Sequence, residues 1–158
     1  MYLRNMDINK YYELVKPYIY ETVSNSLDYK LIANAIHDRV NILSEIKQMI
    51  SFLNGISEYE LDIYNNKKAK TDSELAKKLL PECIDALSNI DEWNNDSIFA
   101  SLAQKAQNLE IKNITLMYPM QVALSGRTIA PGGATAIAEI LGKGETIARI
   151  NAAIGKLK

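Results

Sequence analysis

The chain has 158 residues, 47% of them apolar and 23% charged, with a formal charge of -1; that is enough chain to bury a core in one domain or two small ones, and it excludes a low-complexity or fibrous protein. The longest apolar runs are a few residues against the roughly 20 that span a bilayer, and Met1 to Lys10 already carries Arg4, Asp7 and Lys10, unlike a secretory leader. A single Cys83 excludes an intrachain disulfide and fits a reducing compartment; with the short apolar runs, the expectation is a cytoplasmic chain with no membrane partner. Charge is unevenly spread: residues 1 to 100 carry about -5 and residues 101 to 158 about +4. An RNA ligand meets the basic end more easily, although a chance asymmetry on a solvated surface accounts for the charge almost as well.

Asp7 is placed to cap a helix in which Ile8, Tyr11, Val15, Tyr18 and Thr22 fall three or four apart, with a bend expected at Pro17. A longer stripe runs from Asp28 through Ile32, Ala35, Ile36, Val40, Leu43, Ile46, Ile50 and Leu53, with Asn34, Asp38, Asn41, Glu45 and Gln48 opposite. Arg39 falls on or beside the apolar seam. A guanidinium there either pairs within the fold or faces a ligand. His37, the only histidine, shares the polar side with Asn41 and Ser44 and is expected to be exposed; alone it makes no metal site.

The helical stripe lapses between Glu58 and Lys70, which sets an expected boundary between subdomains 1-66 and 67-158. Lys67, Lys68 and Lys70 in this connector are weak candidates for phosphate contacts, a charged linker being more often simply solvated. Thr71 with Glu74 reads as a capping box for a helix whose face is Leu75, Ala76, Leu79, Leu80, Cys83, Ile84 and Leu87, kinked or divided at Pro81. Cys83 belongs to that core and has no nearby His to activate it. Trp93 is expected to pack between helices. A further helix spans Ser97 to Ile111 with Ile98, Phe99, Leu102, Ala103, Ala106 and Leu109 inward, and only Ile111 to Met117 offers a brief extended stretch.

The rest of the chain is arranged around Tyr118 to Leu141, YPMQVALSGRTIAPGGATAIAEIL, read as helix, tight loop and helix. Ser125-Gly126 ends the first helix and Pro131-Gly132-Gly133 forces the turn, leaving Arg127 to Pro131 as an exposed corner held by packed helices. Two closing helices separate near Gly142-Lys143-Gly144. The expected fold class is all-α, a helical cage of two packed sub-bundles.

The run Pro119-Met120-Gln121-Val122-Ala123-Leu124-Ser125-Gly126-Arg127, then Pro131-Gly132, Ile140-Leu141-Gly142-Lys143 and Arg149-Ile150, resembles the end of bacterial-type glutamyl-tRNA synthetases. That family shows Pro-Leu-Arg-x-Ala-Leu-Thr-Gly, a Pro-Gly corner, Leu-Gly-Lys and a final Arg-Ile/Leu helix in this order. Weaker similarity extends over essentially the whole chain, and Arg39-Val40-Asn41-Ile42-Leu43-Ser44-Glu45 matches the family's Arg-x-x-x-Leu-x-Glu segment. The resemblance implies that Arg39 reads the third anticodon base. It implies that the first base meets the corner, through Gln121, Thr128, Ala130, Pro131 and Gly133, with Arg127 beside them. Where the family has arginine after Pro-Leu this chain has Gln121, which removes a charge and a bidentate donor. The bulky apolar residue that often follows Pro-Gly is missing too.

No GxxxxGK[ST] loop, dinucleotide turn or Ser-His-acid set occurs in the sequence, and the synthetase family's adenylate-forming signatures of the HIGH and KMSKS type are not found. A chain resembling only the end of that family is expected to be its anticodon-binding region and, alone, not an enzyme. ATP and magnesium would then serve the catalytic portion of the parent ligase, and this region itself would take no cofactor. The implied partners are glutamate-accepting tRNA and that catalytic portion. Two other readings stand beside this one: a helical protein-interaction module derived from a synthetase fold, and, for want of any site, in last place a small stand-alone enzyme.

Overall fold

The structure, a computed structural model, describes residues 7-23, 27-37, 46-56, 58-128, 130 and 133-158. Eight α-helices are present among them, and the fold is all-α. The first is α1, Ile8–Thr22. The Asp7 carboxylate caps it by accepting from the amides of Asn9 and Lys10 at 3.1 and 3.4 Å, two of the donors that a helix start leaves unpaired. Tyr11, Val15, Ile19 and Val23, three or four apart, form its buried face. The helix continues through Pro17, which is exposed, so the carbonyl that loses its partner there is on the wet side.

Helix α2, Tyr29–Ile36, is capped in the same way by Asp28, whose carboxylate accepts from Lys30 and Leu31. Helix α3 is the short segment Ile46–Ile50, and a single 3-10 turn, Ser51–Leu53, follows it. Both α2 and α3 pack on α1. His37 does not stand free on a polar face: it is half-buried, with its ring edge-on to Tyr11 at 4.5 Å between centroids.

The lysine-rich connector is an ordered turn. Asn66 and Thr71 exchange backbone hydrogen bonds at 3.1 Å, Asn66 Oδ1 accepts from the Ala69 amide, and the Thr115 hydroxyl donates to the Ala69 carbonyl. Lys67, Lys68 and Lys70 therefore project outward while Ala69 is buried. The expected boundary falls in this turn. Residues Leu61–Tyr64 just before it pack against the helices that follow it, with the Tyr118 hydroxyl donating to the Ile63 carbonyl at 2.7 Å.

Helix α4, Ser73–Ser88, runs unbroken through Pro81. Its cap is Asp72, accepting from the Leu75 amide at 2.8 Å, and not the expected pair of Thr71 and Glu74. The Thr71 hydroxyl is used elsewhere, donating to the Tyr64 carbonyl. Helices α5, Asn95–Asn108, and α6, Asn113–Ser125, follow. The stretch expected to extend briefly at Ile111 to Met117 instead begins α6. Burial covers Leu116, Pro119, Met120, Val122, Ala123 and Leu124 on α6, the pattern of a helix surrounded by others. Gly126, at φ 68°, ends it in the left-handed conformation.

Helices α7, Gly133–Leu141, and α8, Lys143–Leu157, meet at Gly142, whose φ is 86°. α6 contacts α4, α5, α7 and α8. Trp93 packs between helices as expected, its indole N–H donating to the Ala138 carbonyl at 2.9 Å. Cys83 is fully buried, with its thiol 3.8 Å from the Leu116 carbonyl. Burial pushes that thiol up to about 12, which keeps it protonated and inert.

Candidate nucleic-acid interface

On α6, Ile114, Met117, Tyr118 and Gln121 recur three or four residues apart, so they share one face. That face forms the floor of an open groove of about 450 Å³. Phe99 of α5 supplies one wall, Lys68 of the turn another, and Thr128 with Gly133 to Thr135 the third. Two large apolar side chains stand in it uncovered: Phe99 is 46% exposed and Ile114 44%. Among the described residues the lining contains a lysine and no carboxylate. An apolar platform with a cation beside it suits a planar, hydrogen-bonding base attached to a phosphate.

The polar groups are fixed by the corner itself. The Gln121 side-chain amide donates to the Thr128 carbonyl at 2.8 Å, and since a carbonyl only accepts, the amide's orientation is set: nitrogen toward Thr128, oxygen away. The Ser125 hydroxyl donates to the Gln121 carbonyl at 2.7 Å and accepts from the Arg127 amide at 3.1 Å. Gly133 opens α7 at φ 76°, a conformation that a side chain would strain.

Four of the residues expected at the site, Gln121, Thr128, Gly133 and Lys68, thus meet in one groove. Lys67 and Lys70 are exposed but do not line it. Arg39 and Pro131 lie outside the described residues. The corner is less open than expected: Thr128 is exposed, whereas Ala130 is buried and Arg127 is half-buried. Arg127 turns away from the groove. Its guanidinium donates to the carbonyls of Gln48 and Met49 at 2.8 and 2.9 Å and to the Ser51 hydroxyl at 3.0 Å, and it lies 5.0 Å from the centre of the Phe52 ring. Burial lowers its pKa from the ordinary arginine value.

Sequence reasoning missed Phe99 and Ile114. Phe99 was expected inward, yet the buried stripe of α5 is Ile98, Leu102 and Ala106, and Phe99 is one position off it. The expectation of an extended stretch hides Ile114; with α6 starting at Asn113, the spacing of 114, 117 and 121 puts it on the same face as Gln121, two turns away.

The all-helical domain thus presents, beside its corner, an open groove with one lysine and two uncovered apolar side chains, surfaces on which an unstacked base can stack. The family model described as anticodon binding domain matches residues 10-154, and the chain belongs to that family. It is 36% identical over 157 residues to a glutamate–tRNA ligase of Clostridium tetani and 38% identical over 157 residues to one of Clostridium botulinum, covering 99% of this chain and 32% of each relative. Among solved structures, a glutamate tRNA ligase from Elizabethkingia meningosepticum in complex with its amino acid superimposes with a TM-score of 0.77 at 25% identity, covering 99% of this chain and 31% of that one. The glutamate-tRNA synthetase of Elizabethkingia anophelis gives 0.74, also at 25% identity, over 98% and 30%. The chain spans about a third of the length of these relatives and matches their C-terminal part.

Proposed function

We propose that this chain selects glutamate-accepting tRNA for a glutamate–tRNA ligase by holding the first anticodon nucleotide in the groove between α5, α6 and the corner. The observation that carries the reading is the convergence of Gln121, Thr128, Gly133 and Lys68 on the uncovered Phe99 and Ile114. A base stacks on Phe99 and Ile114, Lys68 meets the phosphate, and the Gln121 amide oxygen accepts from the base edge. Each base stacked on an aromatic side chain is worth roughly 1–3 kcal/mol, enough to hold an anticodon base out of its own stack.

Arg39 is the proposed reader of the third base. Attachment of glutamate with ATP and magnesium belongs, in this reading, to the catalytic portion of the ligase, and the present chain supplies recognition. Hydrogen exchange of the chain with and without a glutamate-tRNA anticodon stem-loop tests the placement. Protection concentrated in peptides covering 114-121 and 128-135 is expected; protection that avoids both overturns it, and RNA-independent capture of another protein at that face favours the interaction-module reading.

A further inference from the structure

Two arginines from the C-terminal half grip one short backbone segment of the N-terminal half. Arg127 takes the carbonyls of Gln48 and Met49 and the Ser51 hydroxyl. Arg149 takes the carbonyls of Phe52 and Leu53 at 2.9 Å each, together with the Leu124 carbonyl at 2.8 Å. The Gln48, Met49, Phe52 and Leu53 carbonyls lie at the C-terminal end of α3 and in the 3-10 turn that follows it, where a helix carries its negative end and favours a cation. Arg149 is buried, so its grip belongs to the core. Arg127 sits at the rim, next to Thr128, whose carbonyl fixes the Gln121 amide.

We propose that Arg127 is a positioning residue for base discrimination, which rests on the groove's role in reading a base: it fixes the corner against α3, so the Gln121 amide and Thr128 keep one geometry, and it does so without touching RNA. A guanidinium bonded to three acceptors of its own chain and turned from the groove is poorly placed to contact a base. What it controls is where its neighbour stands. Hydrogen-bonding groups must hold their geometry closely for a base edge to be told from its competitors.

The test uses the chain with an anticodon stem-loop in native form and with the first anticodon base changed, at several salt concentrations. Arg127→Ala is expected to lower the preference for the native loop about three- to tenfold, the equivalent of one lost hydrogen bond or somewhat more, while the slope of log affinity against log salt stays as in the parent chain. Ser51→Ala, in the other half and also away from the groove, is expected to reduce the preference in the same direction by less; it decides the matter if Arg127→Ala fails to fold. Equal weakening for both loops with a salt slope smaller by about one would make Arg127 a direct phosphate contact and overturn the proposal. An unchanged preference in both variants also overturns it while leaving the groove intact as the reader. A parent chain with no preference between the loops would remove the reading of the groove itself, and the proposal with it.

Discussion

The Arg149 guanidinium and the Phe52 carbonyl, 97 positions apart in the chain, lie 2.9 Å apart in the folded protein. The same guanidinium also meets the Leu53 and Leu124 carbonyls and, through Nε, the Glu145 carboxylate at 2.8 Å. One side chain thereby ties α8 to the end of α6 and to the N-terminal half. Replacement by methionine leaves three carbonyls without these donors and is expected to cost about 3 kcal/mol or more. Urea unfolding of Arg149→Met should show the midpoint falling at an unchanged slope; a shift equivalent to less than about 1 kcal/mol would mean that water replaces the arginine freely.

Phe99 is a different case. Nearly half of its surface is uncovered, so Phe99→Ala should change stability little, by less than the roughly 3 kcal/mol or more expected for a core phenylalanine. Stem-loop affinity should fall by about 1–3 kcal/mol if a base stacks there. Titration of the variant beside a thermal melt separates the two effects.

Lys68 lines the groove, and among the described residues of that lining there is no carboxylate. Lys68→Ala is expected to reduce the salt slope of RNA binding by about one and to weaken native and base-changed loops alike. A loss confined to the native loop would assign Lys68 to the base edge.

Cys83 gives a pH dependence with a definite sign. Its folded value is raised, by burial first, from 9.0 to about 12, so the unfolded chain releases this proton before the folded one does. The stabilisation is whole below pH 9 and is lost as pH rises from 9 toward 12. Unfolding measured at pH 8 and 9.5 should show that decline in the parent chain and a flatter one in Cys83→Ala. The window below 10 matters because Tyr64, also raised by burial, starts from 10.0.

Much of this was legible in the sequence, where the signal is local. Asp7 and Asp28 announce helix starts through their side chains, Gly126 announces an end because glycine readily takes the left-handed φ of 68° found there, and the period of Ile98, Leu102 and Ala106 marks a buried face. The ordered motifs from Gln121 to Gly133 brought Gln121, Thr128 and Gly133 of the groove to notice. Long-range choices were not legible. Whether Arg127 would face RNA or the α3 carbonyls depends on where residues 48-51 lie, and no spacing in the sequence encodes that. Phe99 illustrates the limit of apolar patterning: one position along a helix turns a side chain by about 100°, enough to move it from core to groove. Thr71 and Asp72 are adjacent and both suit a cap, and the Tyr64 carbonyl claimed the threonine.

The central claim is that this chain reads an anticodon base in the groove, and the most direct measurement is the affinity of the unaltered chain for a glutamate-tRNA anticodon stem-loop against the same loop with its first anticodon base changed, at low and physiological salt. Base reading predicts a preference for the native loop of about fivefold or more, since a mismatched contact costs roughly 1–3 kcal/mol, and a preference that persists as salt rises. Equal affinities that vanish together at the higher salt would reduce the interaction to phosphate attraction and contradict the claim.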